Sequence, residues 1–369
     1  MDRPLFHPTF GSRPAQIIGR DQVIEQFMSG LSAPIGSRDR CTFFVGQRGM
    51  GKTALLLELA ERAAKDGFIV ARVTAYSGMA DEIIELIQRN GAPFITEDNK
   101  KIQGIEAGAF GFSFGLTFSE TVQKQYGVRT KLTLLCDKLS EYNLGVLILI
   151  DEATTSEELR EVAITYQHLV GEDKNIAIAM AGLPNAVSNV LNDKVLTFLN
   201  RASKITLGPI SPASIHVYYT NAFEQLGIIA DDSLVTKAAE AAQGFPYLMQ
   251  LIGYYTTQYT KAGQHLDDAH LQLAINAARQ DMDQNVFRPI LMPLSAKDLE
   301  FLKAMAMDDG VSSSSDIAKR MNKSNSYIQP YRARLIDAGI IESPRKGELE
   351  FAVPYLADYL RKNGADPNQ

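Results

Sequence analysis

Residues 46–53 follow the pattern Gly-x-x-x-x-Gly-Lys-Thr, and an apolar stretch at residues 41–45 comes directly before them. Glycines at this spacing let the backbone curl so that successive N–H groups face a chain of phosphates. The helical pattern at residues 54–65 would add the positive end of a helix dipole. Because strand, loop and helix occur in register, we interpret the stretch as a phosphate-binding loop rather than an accidental glycine-rich turn.

Two side chains of this loop have distinct chemical roles. Lys52 is expected to reach the β- and γ-phosphates of a nucleotide, and the hydroxyl of Thr53 is expected to bind Mg²⁺. The predicted nucleotide contacts in the loop are Gly46, Gln47, Arg48, Gly49, Met50, Gly51, Lys52, Thr53 and Ala54. The loop supplies binding alone, so a group that activates water must come from elsewhere in the chain.

An uninterrupted apolar run at residues 145–150 ends in Asp151 and Glu152. Such a run is typical of a central parallel strand that is buried on both faces. Carboxylates at the carboxyl end of such a strand lie in the crevice where open α/β sheets bind ligands. We predict that Asp151 holds the Mg²⁺ shell and that Glu152 orients and deprotonates the attacking water. The alternative is an acidic helix N-cap that follows a strand.

Strand and helix patterns alternate from residue 17 to residue 210, which predicts an α/β nucleotide-binding core with a parallel sheet. The predicted strands after the loop are residues 68–74, 145–150, 175–181 and 204–207. Alternating apolar residues and glycines at about 101–119 predict an inserted β-hairpin, packed on the core or touching a polymer or a neighbouring subunit. Three prolines in residues 1–16 predict an extended arm on the surface of the next domain.

The pattern after residue 210 is helical. Helices predicted at 213–226, 231–243, 247–261 and 267–285 form a small lid domain, residues 211–288. Prolines at 289 and 293 predict a linker. Helices at 295–307, 314–321 and 324–338, with strands at 340–341 and 349–353, predict a winged helix over 295–362, and a short tail, 363–369, follows.

Basic residues exceed acidic ones by seven to three between Val311 and Lys346. That local surplus suits contacts with the phosphates of duplex DNA. The candidate DNA contacts are Lys323, Arg332, Arg334, Arg345 and Lys346. The alternative is a winged helix that contacts protein, because the tail from Ser295 is not basic as a whole and Pro330 lies in the presumed reading helix.

The composition of the chain limits the kinds of partner that it can bind. The chain has 37 Lys and Arg against 43 Asp and Glu, a net charge of −6, so any nucleic-acid surface must be local. The two cysteines, Cys41 and Cys136, show no metal or redox spacing and are expected in the core. We find neither a leader pattern nor an apolar stretch of membrane-spanning length, so we expect a cytoplasmic protein without membrane contact.

Several short motifs together resemble those of AAA+ ATPases, most closely the origin-recognition-type branch with a C-terminal winged helix. The resemblance covers roughly residues 15–360 and rests on the phosphate-binding loop, Ile18-Gly19-Arg20, Leu149-Ile150-Asp151-Glu152, Ala181-Gly182-Leu183-Pro184, Arg201 and Gly244-Phe245-Pro246. It implies a protein that hydrolyses Mg-ATP and couples hydrolysis to DNA-associated assembly or remodelling. The alternative within the same family is a slow nucleotide-gated switch whose winged helix contacts a protein partner.

The resemblance also implies roles for individual residues. Ile18 and Gly19 would lie near the adenine, and Arg201 would be an arginine finger that reaches the γ-phosphate of a neighbouring copy, in a homo-oligomer formed on ATP binding. Two positions depart from the family pattern. Tyr247 stands where many relatives carry a second-sensor arginine, and Asn185 is the nearest candidate for the first sensor. These departures imply slow or partner-dependent turnover.

Overall fold

The computed structural model describes residues 4–8, 14–95 and 112–363. These residues belong to two units, each with its own contacts. The sheet unit comprises Arg20–Gly46 and Lys52–Leu207, and the helical unit comprises Met1–Gly19, Gln47–Gly51 and Gly208–Gln369. The middle of the phosphate-binding loop therefore groups with the C-terminal part of the chain, which no local sequence pattern indicated.

Five parallel strands form the centre of the sheet unit, and a separate antiparallel pair forms a short hairpin. The strands in chain order are β1 (Cys41–Val45), β2 (Phe68–Thr74), β3 (Phe112–Phe114), β4 (Thr117–Phe118), β5 (Gly145–Asp151), β6 (Ile176–Gly182) and β7 (Ser203–Thr206). The parallel order is β2-β5-β6-β1-β7. Every residue of β5 and β6 is buried, as the uninterrupted apolar runs predict for central strands. The predicted α/β parallel-sheet fold is confirmed.

Helices connect these strands. They are α1 (Asp21–Leu31), α2 (Lys52–Lys65), α3 (Met79–Ile95), α4 (Glu120–Gln125), α5 (Val128–Ser140), α6 (Glu157–Gly171) and α7 (Pro184–Leu191). Two 3₁₀ turns, Arg38–Arg40 and Thr197–Arg201, lead directly into β1 and towards β7. Because α2 begins at Lys52, the loop between β1 and α2 is short, as a phosphate-binding loop requires.

A buried arginine fixes the entry to β1. The guanidinium of Arg40 donates hydrogen bonds to Ala33 O at 2.8 Å, Leu31 O at 2.6 Å and Asn175 Oδ1 at 2.8 Å. A buried cation is tolerated only when its N–H groups are paired, and these three acceptors meet that need. They tie the end of α1 and the start of β6 to the strand that leads into the phosphate-binding loop.

The described part of the inserted hairpin packs against the sheet unit. Leu116 and Phe118 are 2% and 5% exposed, and Gln88 of α3 donates a hydrogen bond to Leu116 O at 2.6 Å. This favours the first of the two interpretations, a hairpin packed on the core. The rest of the predicted hairpin, residues 101–111, lies outside the described residues.

The C-terminal part of the helical unit begins with four helices, in the range where a lid domain is predicted. They are α8 (Pro212–Gln225), α9 (Asp232–Ala241), α10 (Pro246–Tyr259) and α11 (Asp268–Met282). The linker predicted at 289–293 is wrong in large part, because a π turn, Asp283–Phe287, continues α11 into α12 (Arg288–Leu291). Pro289 lies directly after the π turn within this continuous helical segment, and the irregular hydrogen bonding of a π turn accommodates a residue that has no N–H.

Residues 295–363, where a winged helix is predicted, form what we call the C-terminal module. The elements are α13 (Ala296–Met305), β8 (Ser312–Ser313), α14 (Ser314–Arg320), α15 (Asn325–Asp337), β9 (Ile341–Glu342), β10 (Glu348–Phe351) and α16 (Leu356–Lys362). The strands form an antiparallel sheet in the order β8-β10-β9. A capping box between Ser295 and Asp298 begins the module.

The N-terminal arm packs into the helical unit. The side chain of Phe6 is 5% exposed and lies 5.6 Å from the ring of Tyr218, centroid to centroid. A Cβ at Gly253 would lie 2.1 Å from the Phe6 ring, so only glycine allows this approach. Tyr218 Oη donates to Leu5 O at 2.6 Å, and His7 N donates to Gln250 Oε1 at 3.0 Å. The prediction of a surface arm on the next domain is therefore wrong for residues 4–8, because an aromatic side chain anchors them among α8 and α10.

Candidate functional site

The phosphate-binding loop begins as a continuation of the sheet. Gly46 N donates to Gly182 O at 3.2 Å, which extends the pairing of β1 with β6 by one residue. Lys52 then turns back on the loop, and its Nζ donates to Gly46 O at 2.8 Å. The half-buried ammonium group thus lies beside the first residue of the motif. A lysine held there can exchange a carbonyl partner for a phosphate oxygen.

Thr53 and Asp151 come from different elements and meet in the sheet unit. Thr53 Oγ1 donates to Asp151 Oδ2 at 2.6 Å, and Asp151 is 5% exposed. Hydroxyl and carboxylate oxygens are the ligand types that Mg²⁺ prefers, and Mg²⁺ commonly completes its shell with substrate phosphates. The described residues contain no group of three or more His, Cys, Asp or Glu that could hold a metal ion by themselves. The donor set therefore fits a Mg²⁺ shared with a nucleotide.

Glu152 has an unusual backbone conformation. Its φ is +53°, in the left-handed region that residues with a Cβ seldom adopt, and its side chain is exposed. Glu152 N donates to Asp151 Oδ1 at 3.0 Å, which links the two acidic residues. Strained residues concentrate at functional sites because the surrounding structure must hold them. The alternative interpretation of this pair as a helix N-cap is wrong, because Ser156 caps α6 through Leu159 N at 3.0 Å.

The five residues Gln47–Gly51, which we call the loop apex, lie against the helical unit to which they belong. Gly49 has a φ of +78°, and a Cβ there would lie 2.0 Å from Cζ of Phe245. Gln47 is 8% exposed, and its Nε2 donates to Glu342 Oε2 of β9 at 3.3 Å. Within the apex, Met50 is buried and Arg48 is exposed. The apex therefore touches both the start of α10 and the C-terminal module.

Sequence reasoning missed both of these partners of the loop apex. Phe245 entered the sequence analysis only as part of Gly244-Phe245-Pro246, one of the motifs of the AAA+ resemblance, and no contact with the loop was predicted for it. No pattern distinguished Glu342 from other acidic residues, and it lies 295 positions from Gln47 along the chain.

The residues predicted near the adenine lie in the helical unit. Ile18 is 8% exposed, and Gly19 has a φ of +62°. A Cβ at Gly19 would lie 3.0 Å from Ile210 Cγ2 and 3.7 Å from Ser214. These neighbours lie just before and within the first turn of α8, so the predicted adenine contacts adjoin the start of the lid helices.

The predicted finger and sensor residues occupy three different places. Arg201 is exposed at the end of the 3₁₀ turn before β7. Asn185 is half-buried in the first turn of α7, directly after β6. Burial, and to a lesser degree the charge of Asp281, raises the pKa of Tyr247. Tyr247 is therefore neutral at physiological pH and does not supply the positive charge of a second-sensor arginine.

The candidate DNA contacts are exposed or half-exposed in the C-terminal module, and several have partners there. Arg334 donates to Asp298 Oδ1 at 2.7 Å, Arg332 donates to Ser343 Oγ at 3.0 Å, and Arg345 lies 4.0 Å from Glu348. Lys323 Nζ lies 5.3 Å from the ring centroid of Tyr327. Lys346 is exposed. These cations thus lie on the surface, and three of them already have partners with which a DNA phosphate would have to compete.

Comparison with solved structures identifies the fold. A Walker-type ATPase of Pyrococcus abyssi superposes with a TM-score of 0.67 at 15% identity, covering 95% of this chain and 97% of that one. The chain has the fold of an origin-recognition-type AAA+ ATPase. The ORC2 protein of Aeropyrum pernix, in ADPNP and ADP complexes, superposes with a TM-score of 0.62 at 14% identity over 97% of this chain and 96% of that one. This AAA+ fold is the one that the short motifs implied.

Comparisons based on sequence give less information about the family than the fold does. A family model described as a domain of unknown function, DUF8462, matches residues 284–360, the end of the lid helices and most of the C-terminal module. No curated protein matches the chain. None of the described helices is long and apolar enough to cross a membrane.

Proposed function

We propose that this protein binds Mg-ATP and hydrolyses it, with a turnover that depends on a second copy of the chain, and that hydrolysis drives DNA-associated assembly. The observation that carries the proposal is the 2.6 Å hydrogen bond between Thr53 Oγ1 and Asp151 Oδ2, with Glu152 next in sequence. It joins the end of the phosphate-binding motif to a carboxylate at the end of a central strand. The ORC2 protein in ADPNP and ADP complexes, which shares the fold, supports nucleotide as the ligand.

The chemistry is divided among few side chains. The N–H groups of the loop and the ammonium group of Lys52 would bind the phosphate chain. Thr53 and Asp151 would hold Mg²⁺, which when bound neutralises developing charge on the phosphates. Glu152 would accept the proton of the attacking water as a general base. Magnesium-dependent phosphate release, together with titration of ATP binding, tests this proposal, and a folded protein that binds no ATP would overturn it.

A role for Arg201 across a subunit interface gives a second test. Arginine fingers contribute about 10³- to 10⁵-fold to turnover, so Arg201→Ala is expected to lower hydrolysis by roughly a thousandfold while ATP binding is unchanged. Turnover of the unaltered protein is expected to rise with protein concentration. The neighbouring exposed cation Lys204, whose Nζ donates to Asn200 O at 3.0 Å, provides the matched control Lys204→Ala. Normal hydrolysis by Arg201→Ala would show that this residue is not a finger.

DNA binding by the C-terminal module predicts a particular salt dependence. Each phosphate contact that is removed should lower the slope of log affinity against log salt by about one. We expect this for Lys323→Ala, Arg332→Ala and Lys346→Ala, measured with a short duplex, while Lys261→Ala outside the module leaves the slope unchanged. Arg334 is not a suitable site, because its removal would leave the Asp298 carboxylate, 4% exposed, without its cation. Equal slopes for all variants would contradict a DNA-binding module.

The second candidate function is a slow nucleotide-gated switch whose C-terminal module contacts a protein. The internal partners of Arg332, Arg334 and Arg345 favour it, because a phosphate must compete with bonds already formed. The neutral Tyr247 in place of a second-sensor arginine favours it too, since fewer charges would stabilise the transition state. Failure to bind duplex DNA, together with an ATP-dependent change in assembly mass, would favour the switch.

A further inference from the structure

The loop apex is held against an acidic sheet edge of the C-terminal module. Gln47 donates through Nε2 to Glu342 Oε2 at 3.3 Å, and Glu342 of β9 stands directly opposite Glu350 of β10 in the antiparallel register. Residues directly opposite each other in an antiparallel pair lie on the same face of the sheet, and burial together with the charge of Glu342 raises the pKa of Glu350. An anionic group therefore already lies at a loop that is expected to bind a more highly charged anion.

This contact has a fixed geometry rather than being a loose surface encounter. Gln47 is only 8% exposed, and Gly49, two residues later, lies under the ring of Phe245. Two anchors, one on each side of Arg48, therefore hold the apex in place. Like charges repel each other. The Glu342 carboxylate, which is hydrogen-bonded to the apex, would therefore oppose the binding of a phosphate at the apex.

We propose that Glu342 lowers the affinity of the phosphate-binding loop for ATP, and that bound ATP in turn weakens the Gln47–Glu342 hydrogen bond. The inference rests on the proposed nucleotide function and adds to it the regulation of the same site. Coupling between two sites is reciprocal. The free energy by which Glu342 weakens ATP binding therefore equals the free energy by which bound ATP weakens the contact between β9 and the loop apex. ATP would thereby act on the C-terminal module through the loop apex.

The test compares two substitutions that remove the same charge from the same small sheet. Glu342→Gln keeps the size of the side chain and an acceptor for Gln47, and we expect it to tighten ATP binding roughly fivefold or more. Glu348→Gln is the matched control, because Glu348 lies near Arg345 at 4.0 Å and its carboxylate is not the one bonded to Gln47. We expect it to leave ATP affinity unchanged. Affinity is measured by displacement of a fluorescent ATP analogue, and thermal unfolding confirms that both variants fold.

Two further readouts separate repulsion from a structural effect. The advantage of Glu342→Gln should shrink as salt rises from low to high concentration, because screening weakens charge repulsion. Hydrogen exchange at residues 341–351 of the unaltered protein should quicken when ATP is added. An unchanged or weaker affinity of Glu342→Gln overturns this inference alone, provided that the unaltered protein binds ATP. Absence of ATP binding in the unaltered protein and in both variants overturns the proposed function, and this inference with it.

Discussion

Glu152→Gln is expected to leave ATP bound and to slow its hydrolysis by about 10² to 10⁴, the usual contribution of a general base. The amide keeps the size of the side chain but does not accept a proton from water. Since glutamine has the same backbone preferences as glutamate, the φ of +53° at this position costs the variant no more than it costs the unaltered chain. Phosphate release under single-turnover conditions, with ATP binding measured in parallel, checks the result.

Glu157→Gln provides the control for this experiment. Glu157 is an exposed carboxylate in the first turn of α6 and forms an ion pair with Arg160. It lies five residues after Glu152 and outside the connection between β5 and α6, so its loss should leave both binding and turnover unchanged. A Glu152→Gln protein that hydrolyses ATP at the normal rate would remove Glu152 from the mechanism and leave the general base unassigned.

Lys52→Ala is expected to weaken ATP binding strongly. A hydrogen bond to a charged group contributes about 1.5–3 kcal/mol, which corresponds to roughly a 10- to 100-fold loss of affinity. The substitution removes the bond from Nζ to Gly46 O at 2.8 Å but leaves the backbone of the loop and of α2 unaltered, so the fold should persist. Titration with a fluorescent nucleotide measures the affinity, and thermal unfolding without nucleotide verifies that the variant is folded.

The far end of the same helix offers the control for Lys52. Lys65 in the last turn of α2 is exposed and its Nζ lies 2.8 Å from Glu61 Oε1. Lys65→Ala removes one positive charge from α2 without touching the loop, so affinity should be unchanged. Equal ATP affinity in Lys52→Ala and the unaltered protein would mean that the motif is not the nucleotide site.

The sheet and the central residues of the site were predictable from the sequence because short, local patterns specify them. The strand predicted at 68–74 is β2, and the run at 145–150 is β5 with Asp151 added at its end. A buried apolar run can pair its backbone N–H and C=O groups only in a strand or a helix. Its short length and its flanking residues favour the strand. The pairing of β1 with β6 then leads to the loop, while β5, next to β6, carries the carboxylates.

Long-range side-chain contacts were not predictable in the same way. The partner of Gln47 is 295 residues away, and the partner of the Leu5 carbonyl is 213 residues away. Neither contact produces a periodic pattern in the sequence, because each involves one side chain and one atom of a distant element. The continuation of α11 through a π turn was not predictable either, because proline normally ends a helix and no local pattern indicates the π turn that accommodates it.

The burial of Phe6 beside Gly253 imposes an order on biosynthesis. Residues 4–8 leave the ribosome before α8 and α10, so their binding surface is complete only after residue 259 has been made. Domains generally fold as units while the chain grows, so Arg20–Leu207 can form its sheet while the arm waits. Residues 4–8 thus reach their final positions only after the helices against which Phe6 packs have formed.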